Sequence, residues 1–103
     1  MPFHELKTWP DSFNAIWANQ KRHEIRKADR DFQVGDRLYL REFDPSNASY
    51  SGRWMLVDVT YLTRAGEWGL PTDICVMSVR VTERHLAVEG PLTIDSRQDT
   101  VGT

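Results

Sequence analysis

The chain has 103 residues, of which 40% are hydrophobic and 27% charged, a globular composition that excludes a disordered or fibrous chain. That length supports one domain with a single modest core. The formal net charge of −2 argues against a protein coated with nucleic acid over its whole surface.

In chain order, Phe3 to Lys7 alternates, with His4 and Leu6 set against Phe3, Glu5 and Lys7, and predicts a first strand. Pro10 suits the first turn of a helix and Asp11 adds negative charge there. Trp9, Phe13, Ile16 and Trp17 then share one helical face, with the helix ending near Asn19. Arg22 to Lys27 predicts a short strand with Glu24 and Arg26 on one face and His23 and Ile25 on the other. Ala28 to Phe32 is a charged loop, and Val34-Gly35-Asp36 is a structural turn.

Leu38 to Phe43 predicts a strand with Leu38 and Leu40 facing one way and Tyr39, Arg41 and Phe43 the other. Asp44 to Asn47 is a loop of turn formers. Trp54 to Leu62 predicts the longest strand, with Met55, Val57, Val59 and Tyr61 on one face. Thr63 to Asp73 reads as a loop. Ile74 to Thr82 predicts the last strand, with Cys75, Met77, Val79 and Val81 inward. The composition after Glu89 predicts a flexible tail over residues 89–103 behind a domain over residues 1–88. One helix and five or six strands in so short a chain predict an α+β fold built on a small, partly open β-barrel.

Cys75, the single cysteine, has no ligand spacing around it, so a buried structural thiol is expected. His4, His23 and His85 are scattered, and neither a metal nor a cofactor is expected. No stretch has the length of a membrane span and the N-terminus lacks a signal-peptide core, so a cytoplasmic protein with no membrane partner is expected.

The residues that carry chemistry are concentrated early. From Lys21 to Arg41 there are seven Lys or Arg against four Asp or Glu, a local basic excess on an acidic chain. Arg outnumbers Lys ten to three, which suits bidentate recognition of phosphate or carboxylate. Lys21, Glu24 and Arg26, with Lys27, Arg30 and Arg41 nearby, fit a pocket for a nucleotide; on residue types alone they fit a solvated ion-pair face first, where pairs contribute roughly 0–1 kcal/mol. Trp9 is either a stacking platform for a base or the start of the helix's apolar face. Arg30 between Asp29 and Asp31 reads first as a loop ion-pair set.

The spacing Lys21-x-x-Glu24-x-Arg26 resembles the GxKxxExR signature of ASCH domains in the PUA-like superfamily. The closer resemblance is to the DUF3850 family of bacteria and phages. It is carried by His4-Glu5-Leu6-Lys7-Thr8-Trp9-Pro10, by Lys21-x-x-Glu24-Ile25-Arg26-Lys27, and by Asp29-Arg30-Asp31-Phe32-x-Val34-Gly35-Asp36. Leu40-Arg41-Glu42-Phe43-Asp44-Pro45 and Gly52-Arg53 continue it, so that it covers roughly residues 3–82. Asn19 replaces the leading Gly of the signature, and Asn tolerates the left-handed backbone such a Gly serves.

The resemblance implies a PUA-like (ASCH) barrel of about five to six strands and one or two short helices, with a pocket between barrel and helix. It implies binding of RNA, a nucleotide or a nucleoside through Lys21, Glu24 and Arg26, to which the residue types alone add Lys7, Trp9, Arg30 and Arg41 as expected ligand contacts. It also implies a second reading as a small metal-independent hydrolase of RNA or of a modified nucleoside, with Lys21 and Glu24 catalytic. A related branch that deacetylates N4-acetylcytidine uses a Lys, a Thr and a Glu. Lys21 matches the Lys, Glu24 stands where the Thr would be, and Glu67 is a guess at the Glu. A third reading, implied by the family's occurrence in phages, is a protein-interaction module. A monomer or weak dimer is expected.

Overall fold

In a computed structural model of the protein, residues 3–86 are described. They form a mostly β fold: β1 (Phe3–Thr8), α1 (Pro10–Trp17), β2 (His23–Lys27), β3 (Arg37–Asp44), β4 (Ser49–Thr63), a short 3-10 turn at Glu67–Gly69, and β5 (Ile74–His85). The strands make one five-stranded sheet in the order β1-β3-β4-β5-β2. β1 lies parallel to β3, and the other neighbours are antiparallel. Residues 89–103, expected as a tail, lie outside the described residues.

The sheet curls into a half-barrel, which brings its two edge strands within side-chain reach. Arg26 Nη2 on β2 donates to Lys7 O on β1 at 2.7 Å, and Arg30 Nη1 donates to Glu5 O at 3.1 Å. Guanidinium groups thus satisfy carbonyls of β1, an edge strand among the described residues.

Period-2 alternation sets the core. Leu38 and Leu40 from β3, Met55, Val57 and Val59 from β4, and Cys75, Met77 and Val79 from β5 bury together with Leu6. Phe13 and Ile16 of α1 close this cluster and are fully buried, each contributing about 1.5–3 kcal/mol of apolar burial. The opposite face carries a smaller cluster in which Tyr39 meets Trp54 edge-on at 5.3 Å, and Trp54 stacks on His85 at 3.8 Å.

β4 departs from the expected pattern in two ways. It starts at Ser49 rather than Trp54, and Tyr61 points to solvent instead of joining Val59 in the core. The cause is a bulge: Val59 pairs with Val79 but Tyr61 pairs with Ser78, so Thr60 is an extra residue. One inserted residue reverses the side-chain phase, and Leu62 packs on the core where Tyr61 was expected.

Two devices fix α1. Arg53 donates to both oxygens of Glu42, from Nε at 2.9 Å and from Nη2 at 3.0 Å, and Nη2 also reaches Asn14 Oδ1 at 2.6 Å. Its guanidinium covers the Phe13 and Trp17 rings and so ties helix to sheet. That guanidinium is also the first cause holding the Glu42 carboxyl below the usual range, ahead of the opposing effect of burial. At the far end the helix stops with Ala18 as its cap and Asn19 at φ 61°. Asn19 N–H donates to Ile16 O at 3.0 Å and Gln20 N–H to Ala15 O at 2.9 Å, the paired bonds of a left-handed helix stop. Asn19, as expected, adopts the left-handed backbone that makes this turn.

The Val34-Gly35-Asp36 turn is structural, with Gly35 at φ 95°. Asp36, nearly fully buried, accepts from Gln33 N–H at 2.8 Å and pairs with His4 Nε2 at 2.9 Å, which binds the turn to β1.

Candidate nucleotide-binding cleft

At the seam where β1, α1 and β2 meet, an open cleft of about 320 Å³ is lined by Lys7, Thr8 and Trp9, by Ser12 of α1, and by Lys21, Glu24, Ile25 and Arg26. The sequence dictates its assembly. Thr8 ends β1, and Pro10 starts the helix one residue beyond Trp9, which leaves Trp9 as an extended N-cap with its ring 61% exposed. The stop at Asn19 turns the chain so that Lys21 N–H also reaches Ala15 O, at 3.0 Å, which returns Lys21 to the helix. Lys21 Nζ donates to Ser12 Oγ at 2.6 Å.

β2 inverts the usual rule for a strand. Glu24 is 3% exposed while Ile25 is 53% exposed. The inward carboxylate is held by Arg26, whose Nε donates to Glu24 Oε1 at 3.0 Å and whose Nη2 reaches Lys7 O and, at 3.3 Å, Thr8 Oγ1. Glu24 Oε2 is buried and has no hydrogen-bond partner among the described residues. A buried carboxylate oxygen without a donor costs about 1–3 kcal/mol or more, and a ligand N–H or O–H would remove that cost. A fully solvated ion-pair face does not describe this carboxylate.

The cleft brings together Lys7, Trp9, Lys21, Glu24 and Arg26, five of the residues singled out from sequence. Arg30 and Arg41 are not among its lining residues. Arg30 spans the seam to Glu5 O and borders a separate small recess with Phe32 and Cys75. Arg41 is buried, donates to Glu5 Oε2 at 2.8 Å, and lies 3.7 Å from the Tyr50 ring centroid. Glu67 lies outside the cleft and accepts from Arg64 N–H at 2.9 Å. Trp68, in the same loop, is 93% exposed and lines none of the clefts described.

Ser12 and Thr8 escaped the sequence reading. Ser12 lies in the first helical turn and Thr8 at the end of β1, and a hydroxyl in either place carries no chemical signal until its neighbour is known. The second reading of Trp9, as part of the helix's apolar face, is not what is seen: its ring is exposed, and the face begins at Phe13. Among the described residues, no group of three or more His, Cys, Asp or Glu is placed to hold a metal ion. No helix among them is long and apolar enough to cross a membrane.

A curated relative, an uncharacterized 12.9 kDa protein in the GpA 3′ region of Escherichia phage P2, is 32% identical over 65 residues, or 63% of this chain. The chain spans 58% of that relative's length. The model of a domain of unknown function, DUF3850, matches residues 3–79, which include every residue lining the cleft, and the chain belongs to that family.

Proposed function

We propose that the cleft binds a nucleotide, presented free or within a single-stranded RNA, and that the domain is an ASCH-type module of the PUA-like class. The observation that carries this reading is the buried, unpartnered Glu24 Oε2 in a cleft rimmed by the exposed Trp9 ring. A base stacked on Trp9 would offer an amino or ring N–H to Glu24, much as carboxylates accept from the exocyclic amine of cytosine. Arg26 braces Glu24 and does not itself read the base. Lys21 and Lys7 supply positive charge for a phosphate. The half-barrel with a cleft against one helix is consistent with the PUA-like arrangement. Purified protein titrated with the four ribonucleoside monophosphates and with a short single-stranded RNA tests the reading. Glu24→Gln and Lys21→Ala should each weaken binding at least tenfold while the fold is retained; undiminished binding in both variants removes the assignment.

A second reading, a metal-independent hydrolase of a modified nucleoside or of RNA, is favoured by one contact. Ser12 Oγ lies 2.6 Å from Lys21 Nζ in the same cleft as Glu24, and so supplies a hydroxyl that Glu24 cannot. A serine activated by a lysine is an established nucleophile arrangement. Turnover of an acylated nucleoside that disappears in Ser12→Ala while binding persists would establish it. Absence of any product in the native protein leaves the binding module.

A further inference from the structure

We infer that the cleft serves a single-stranded polynucleotide rather than a free nucleoside, with the sugar-phosphate backbone leaving the cleft over Lys21 into an adjacent basic groove. This rests on the nucleotide-binding reading above and extends it. The groove, about 610 Å³, is lined by Lys21, Arg22, Arg80 and Arg84 with Asn19 and Thr60 among its polar residues, and among the described residues no acidic side chain lines it. On a chain of 15 acidic and 13 basic residues, four cations without an acid is a marked local bias. Lys21 lines both the groove and the cleft, so the two form one surface.

The arginines keep donors free for phosphate. Among the described residues Arg22 donates only from Nε, toward Asn19 O at 3.3 Å. The Arg80 side chain is 72% exposed, and its Nη2 is 3.4 Å from Asp58 Oδ2, while Asp58 Oδ1 takes Arg37 Nε at 3.3 Å. Arg84 is more committed, donating to Trp17 O at 2.9 Å and Asn19 Oδ1 at 3.2 Å, and it steadies the helix end that shapes the groove. A guanidinium carries five N–H donors, so each retains several for a bridging anion.

The test is fluorescence anisotropy with labelled single-stranded RNA octamers and their DNA counterparts, beside calorimetry with mononucleotides, over a series of salt concentrations. Four phosphate contacts give a log–log salt slope of about −2.8, at roughly −0.7 per contact on a single strand. Arg22→Gln with Arg80→Gln, both exposed and outside the cleft, should reduce that slope to about −1.4 and leave mononucleotide affinity unchanged. Binding of either octamer with this behaviour supports the track, and a preference for RNA adds the 2′-hydroxyl as a contact. An unchanged slope in the double variant, or octamers binding no tighter than mononucleotides, overturns it. If Glu24→Gln alters nothing while the double variant still lowers the slope, the base reading fails and the track stands. Loss of binding in Glu24→Gln with no effect of the arginines gives the converse.

Discussion

Removing Arg26 should cost more stability than removing its partner Glu24, and the difference follows from burial. Glu24 is 3% exposed, whereas the Arg26 side chain is 24% exposed. In Arg26→Met the nearly buried carboxylate loses its donor Arg26 Nε, and the bond to Lys7 O at 2.7 Å is lost as well. Orphaning one member of a buried pair costs about 3–5 kcal/mol. In Glu24→Met the guanidinium still bonds Lys7 O and Thr8 Oγ1 and reaches solvent, so the cost should be about 1–2 kcal/mol. The double variant should be more stable than Arg26→Met alone, because an apolar pair leaves no buried charge. Urea denaturation at pH 7 followed by Trp fluorescence reads this directly. With m near 1–3 kcal/mol/M, a loss of ~3 kcal/mol moves the midpoint by about 1–3 M. Equal costs for the two single variants, or a double variant as unstable as Arg26→Met, would refute the assignment of the cost to the buried carboxylate.

Three other outcomes follow from the same geometry. Trp9→Ala should change stability by less than about 0.5 kcal/mol, because the ring is exposed, yet weaken nucleotide binding by ~1–3 kcal/mol of stacking, which calorimetry and thermal melts together resolve. Asn19→Gly should be neutral or stabilising at φ 61°, whereas Asn19→Val should cost about 1–2 kcal/mol in the same melts. Because Arg53 holds the Glu42 carboxyl below its ordinary value of 4.5, Glu42 contributes stability that is present above that value and is lost as pH falls through the lowered one; Glu42→Gln should flatten the stability profile across that acidic window in urea titrations.

Much of the fold was legible in the residues because period-2 alternation and burial agree along β5, and because Leu38 and Leu40 share the core face of β3 even though Tyr39, Arg41 and Glu42 are buried there too. Leu38 and Leu40, expected on one shared face, and Cys75, Met77 and Val79, expected inward, are all buried. Alternation failed at Tyr61, since a bulge at Thr60 is set by the pairing partner and leaves no mark in the strand's own sequence. In β2, alternation placed Glu24 and Arg26 on one face but could not say that the charged face turns inward. That depends on curling, which brings Lys7 O and Thr8 Oγ1 to Arg26 and makes burial of the pair tolerable. Arg41 does not line the cleft, although it pairs in register with Lys7, which does. Its place in sequence gave no sign that Glu5 and Tyr50 would enclose it on the other face of the sheet. Ser12 became visible only when the helix stop at Asn19 returned Lys21 to the first helical turn.

The most direct test of the nucleotide-binding account is a two-dimensional amide NMR titration of the labelled protein with ribonucleoside monophosphates and a short single-stranded RNA. The account expects saturable shifts at the Trp9 indole N–H and at the amides of Lys7, Thr8, Lys21, Glu24 and Arg26, with those at Arg30 and Arg41 smaller, and loss of the response in Glu24→Gln. Saturable shifts clustered away from the cleft, or a response identical in Glu24→Gln, would contradict it.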